Sequence, residues 1–81
     1  MGQLRIMSHV GDTKMVWDTQ RVAEGDPEAI AAVREAERIF AEQRAQGSTA
    51  FAVEPGVTPR RIETFEPETE QIIMVPRIAG G

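Results

Sequence analysis

The chain has no cysteine and no tyrosine, and it carries one histidine (His9), one tryptophan (Trp17) and one lysine (Lys14). Without cysteine there are no disulfides, no thiolate metal sites and no thiol catalysis. A lone His9 supplies no histidine cluster and reads as an exposed strand residue. No apolar run approaches the roughly 20 residues of a membrane span, and the opening MGQLRIMSHV is too often interrupted by polar residues to be a secretory signal. The expected location is the cytoplasm, with no membrane partner. Positive charge is also short: 9 Lys and Arg stand against 13 Asp and Glu, for a net charge of −4. A surface that tracks nucleic-acid phosphates is not expected from that balance. With arginine supplying all the basic side chains but one, only Lys14 and the N-terminal amine offer an acylable nitrogen. A domain of 81 residues buries somewhat more than about 60% of its unfolded surface, enough for one small core and not for a deep cleft. No nucleophile, base and orienting group converge in the pattern, so no enzyme, metal site or cofactor is expected of the chain itself.

What is present reads as alternating strands around one helix. Leu4, Ile6, Ser8 and Val10 alternate with Arg5, Met7 and His9, a period of two that suits a strand. Gly11-Asp12 suits a tight turn, and Lys14 to Asp18 reads as the returning strand with Met15 and Trp17 on one face. After a polar connection, Asp26 is a good N-cap and Pro27 fits the first helical position. Ala29, Ile30, Val33, Ala36, Ile39 and Phe40 then recur at helical spacing, with Arg34, Glu35, Glu37, Arg38 and Glu42 on the other face, and Gly47 supplies a left-handed C-cap. Glu35 and Glu42 belong to that charged face, not to a catalytic pair. Thr49 to Val53 is a short strand with Phe51 and Val53 facing one way, closed by a Pro55-Gly56 type II turn. Arg60 to Phe65 reads as a brief edge strand and Glu66 to Thr69 as a turn. Ile72 to Val75 is continuously apolar, as in a strand covered on both faces or central in a sheet. These elements predict an α+β roll, a mixed four- or five-stranded sheet packed on one helix, in the order ββαβ(β)β.

The chain closes on MVPRIAGG. A diglycine has no side chains, so its backbone passes where no other residue does. Element order and ending together resemble the ubiquitin-like β-grasp family, whose first and last strands lie parallel at the sheet centre. Residues 1–76 would form the domain and residues 77–81 a flexible tail. The tail is similar to those of ubiquitin-like modifiers, in which an arginine at the place of Arg77 serves recognition by the activating enzyme. It is equally similar to the molybdopterin-synthase small subunit and thiamine-type sulfur carriers, which share Pro76, a branched aliphatic at Ile78 and the diglycine. Arg77 stands where the molybdopterin carriers keep a second proline, and Ala79 where ubiquitin keeps a second arginine. Diglycine members also occur in bacterial gene clusters with activating, conjugating and deconjugating enzymes.

The resemblance implies that a separate adenylating enzyme uses ATP to activate the Gly81 carboxylate. Gly80 would permit close passage, and Pro76, Arg77 and Ile78 would serve recognition. Two outcomes stay open: conjugation to a target, served by conjugating and deconjugating enzymes, or a thiocarboxylate handed to a sulfur-accepting synthase subunit. Family members also bind partners through an apolar sheet face, for which Met7, Val16 and Met74 are the candidates here. A contrasting reading is a non-covalent accessory or scaffold protein that uses a sheet edge or face, with Trp17 or Arg60-Arg61 carrying the contact.

Overall fold

In the computed structural model, which describes residues 1–8 and 11–77, the chain is an α+β structure with a mixed five-stranded sheet and one main helix. The strands are β1 (Gly2–Ser8), β2 (Gly11–Trp17), β3 (Thr49–Val53), β4 (Arg60–Ile62) and β5 (Gln71–Val75), and the helices α1 (Thr19–Ala23) and α2 (Pro27–Ala45). The sheet order is β2-β1-β5-β3-β4, with β1 and β5 parallel and every other pair antiparallel. The expected central, parallel pairing of first and last strands is therefore observed. β4 is the expected edge strand, three residues long.

Local chemistry sets the ends of α2. Asp26 accepts from the Glu28 N–H at 3.2 Å, and Pro27, which has no N–H to satisfy, begins the helix. At the other end Gly47 takes φ 97°, its N–H donating to Arg44 O and the Ser48 N–H to Gln43 O, each at 3.0 Å, which is a Schellman motif. Gly56, at φ 73°, closes the Pro55-Gly56 turn with the Val57 N–H donating to Glu54 O at 3.2 Å.

Two expectations need correction. The supposed polar connection after β2 contains α1, capped by the Asp18 carboxylate, which accepts from Gln20 and Arg21 N–H at 3.0 and 3.2 Å. Five residues are too few for a periodic signal. Gly11 and Asp12 are strand residues that pair with Ser8 and Met7, so they are not the hairpin turn. His9 and Val10 lie outside the described residues.

The core sits between α2 and one face of the sheet. Leu4, Trp17, Ile62, Ile72 and Met74 meet Ala36 and Phe40 of the helix over the small side chains of Ala50 and Ala52. Alanines at these positions let the helix approach the sheet closely. Trp17 is 2% exposed, donates its Nε1–H to Pro67 O at 3.0 Å and packs on Phe65 with ring centroids 5.5 Å apart. Opposite it in the β1–β2 register is Gly2, where a Cβ would fall inside the indole, against Nε1 and Cε2. Gly2→Ala is expected to displace the ring and destabilise the fold by about 1–3 kcal/mol, as overpacking does. A urea titration followed by tryptophan fluorescence measures this; an unchanged midpoint and spectrum would show that the ring shifts freely.

Candidate functional site

β5 connects the sheet to the residues expected to be activated. Its side chains alternate, with Ile72 and Met74 fully buried in the core and Gln71, Ile73 and Val75 on the opposite face. Pro76, which has no N–H to extend a ladder, follows Val75 and is half-buried, and Arg77 is exposed. The Arg77 side chain lies against the end of α2: a Cβ on Gly47 would sit 3.1 Å from Arg77 Cδ. Gly47 thus answers both a positive φ and the space Arg77 occupies. Ile78, Gly80 and Gly81, expected in activation, lie outside the described residues. Gly81 is the fourth residue after Arg77, and four residues at full extension reach at most about 14 Å.

The three sheet-face candidates do not form one patch. Met7 and Val16 do face away from the helix, 42% and 44% exposed, but Met7 pairs with Asp12 and Val16 with Gln3, at opposite ends of the β1–β2 ribbon. Met74 is corrected outright. It pairs with Ile6 and Ala50 on the helix side and is 0% exposed, so it is a core residue.

The apolar part of the outer face is instead built on β5 and its neighbour β3. Ile73 pairs with Phe51, Val75 with Thr49, and Gln71 with Val53. A signal for it existed in the sequence: in TAFAV the alternate positions are alanines, so either the alanines or the larger Phe51 and Val53 had to face outward. The register chooses the alanines for the core, because they pair with Ile72 and Met74. Following the register across the sheet gives one transverse row, Lys14, Arg5, Ile73, Phe51 and Arg61. Arg5 donates its Nε–H to Asp12 Oδ2 at 2.8 Å and also contacts that oxygen through Nη2. Lys14 and Arg61 are exposed and form no ion pair among the described residues.

Elsewhere charges are spent in local structure. Arg38 bonds Glu35 through Nη2 at 2.6 Å and Glu42 through Nη1 at 3.0 Å, which accounts for the carboxylates on the helix face. Arg60 grips Glu66 with Nη2–Oε1 2.7 Å and Nη1–Oε2 3.2 Å, while Thr69 Oγ1 donates to the same carboxylate at 3.3 Å. These bonds hold the 66–69 turn that presents Pro67 O to Trp17.

Hydrogen bonding from Arg60, with its charge and Thr69 adding to it, lowers the Glu66 carboxyl below its ordinary value of 4.5. A lowered folded value stabilises the fold above pH 4.5 and loses that contribution as pH falls through the folded value. In an NMR titration the Glu66 Cδ should turn over below 4.5, and Arg60→Gln should move it back up; no movement would remove Arg60 as the cause.

Among the described residues no group of three His, Asp or Glu side chains could hold a metal ion, and no helix is long and apolar enough to cross a membrane. The chain matches no protein-family model, no curated protein and no solved structure.

Proposed function

We propose that the chain is a ubiquitin-like β-grasp protein whose Gly81 carboxylate is adenylated by a separate activating enzyme and joined to a target. A carboxylate oxygen of Gly81 attacks the α-phosphorus of ATP, forming an acyl-adenylate and releasing pyrophosphate. A target amine then attacks the Gly81 carbonyl carbon. The new C–N bond replaces the C–O bond to AMP, AMP departs, and the nitrogen loses a proton. The chain itself supplies the carboxylate and its delivery, so it is a substrate and carrier and not an enzyme.

One observation carries this reading: β5, parallel to β1 at the middle of the sheet, is followed directly by Pro76 and Arg77, and Arg77 stands four positions before Gly81. A strand bonded on both sides is a firm anchor from which to present a terminus. Arg77, exposed beside Gly47, offers a charge to a recognising partner. Its presence in place of the second proline of the molybdopterin carriers supports conjugation over sulfur transfer.

The test is to incubate the full chain with ATP and an extract of its native cells. Expected are ATP-dependent adducts in which Gly81 is joined to a target lysine, read by mass spectrometry. A mass gain matching sulfur in place of oxygen would assign the sulfur carrier instead. The mass of the cellular protein establishes whether Gly81 carries a free carboxylate, and its absence would end both readings.

A further inference from the structure

Gly47 and Arg77 meet because of the β3–β5 register. Thr49 opposite Val75 is the last pair at this end of the ladder, and two positions beyond it on the two strands stand Gly47 and Arg77. Pro76 has no N–H with which to extend the ladder, so side chains decide what happens there. Gly47 brings none. A Cβ on it would lie 3.1, 3.5 and 3.8 Å from Arg77 Cδ, Cβ and Cγ, so the aliphatic stem of the arginine crosses the bare Cα. The surface beneath that stem is firmly closed. Gly47 N–H donates to Arg44 O and Ser48 N–H to Gln43 O, each at 3.0 Å. Arg44 Nη1 donates to Ser48 O at 3.0 Å, and the buried Ser48 donates Oγ–H to Gln43 Oε1 at 3.1 Å. The exposed Arg77 forms no ion pair among the described residues, so its stem is held while its charge stays free.

We infer that Gly47 is a positioning residue for the reaction at Gly81: by seating the Arg77 stem it fixes the course on which the chain leaves the fold. This role rests on the proposed activation of Gly81. Pro76 restricts its own φ and the conformation of Val75 before it, and the seat restricts Arg77. Successive residues are thereby ordered before a partner arrives, which lowers the entropy that binding must remove. A change of direction at Arg77 is magnified at the terminal carboxylate, up to about 14 Å further on. Glycine at position 47 also serves the φ of 97°, and chirality separates the two uses. An L-alanine strains that φ and sets its methyl against Arg77; a D-alanine favours positive φ and sets its methyl on the other side of Cα.

The experiment uses the full chain made by total chemical synthesis, as wild type, Gly47→Ala and Gly47→D-Ala. In NMR spectra the wild type should show nuclear Overhauser effects between the Arg77 Cγ and Cδ protons and the Gly47 α protons. Gly47→Ala should lose the contact and alter the residual dipolar couplings of residues 77–81, and Gly47→D-Ala should keep both as in the wild type. ATP-dependent adduct formation in the native extract is then measured against chain concentration. Gly47→Ala should raise the half-saturating concentration about tenfold, the cost of ordering a residue on binding, with the maximal rate within about twofold. Gly47→D-Ala should restore the wild-type value. In an Arg77→Ala background Gly47→Ala should add nothing, because the stem it displaces is gone. No Overhauser contact in the wild type, equal effects of the two enantiomers, or a full further loss in the Arg77→Ala background would overturn the inference. So would a lower maximal rate at an unchanged half-saturating concentration. Absence of adducts from the wild type would count against the role of Gly81 itself, and the Overhauser contacts and couplings would then decide the seat on their own.

Discussion

A chain lacking Gly80 and Gly81 is expected to keep its melting temperature and to lose every ATP-dependent adduct. Stability should hold because the core runs from Leu4 to Met74 and no described contact depends on the last two residues. Activity should vanish because the reacting carboxylate would then belong to Ala79, about 7 Å short of its former reach. Gly80→Val is the sharper variant: it preserves length and the terminal carboxylate and changes only the width of the penultimate residue. If the activating site is a channel that admits only bare backbone, the added side chain displaces the carboxylate by an ångström or more. Misplacement on that scale costs about 10²-fold in rate. Adduct formation by Gly80→Val at the wild-type rate would mean the diglycine is not threaded anywhere, and adducts from the truncated chain would place the reacting group elsewhere.

The parts of this fold that could be read in the sequence are those set by a few adjacent residues. Asp26-Pro27 and Gly47 mark the ends of α2 because caps depend on side-chain and backbone options within one turn. Pro55-Gly56 specifies its turn in the same way. The parallel pairing of β1 and β5 followed from the resemblance in element order, and the register bears it out. Features set by distant neighbours were hidden. Gly2 looks like an unremarkable second residue until Trp17 is seen lying over it. The side to which TAFAV turns is decided by β5, more than 15 residues away in sequence. The burial of Met74 is hidden for a related reason: in an unbroken apolar run the pattern has period one and gives no sign of which alternate positions face the helix.

That ambiguity in Ile72-Ile73-Met74-Val75 supports a decisive comparison of two neighbouring residues of the same type. Ile72→Ala should destabilise the protein by about 2–5 kcal/mol, because Ile72 is 0% exposed and its loss opens a cavity between Leu4 and Ala52, its partners on either side. Ile73→Ala, one residue on, removes the same atoms from the half-covered outer face, where water or a neighbour can fill the gap. Its expected cost is under about 1 kcal/mol, within the range of substitutions away from the core. Urea midpoints at constant slope measure both. Equal, large losses would mean the strand is covered on both faces, as its composition alone suggested. The functional effects should follow the same division. Ile73→Ala should leave adduct formation through Gly81 unchanged. Ile72→Ala should impair adduct formation, since it loosens the central strand on which Pro76 and Arg77 are mounted. A protein that reacts just beyond one end of β5 depends on the buried side of that strand, and the outer side can change without loss of the anchor.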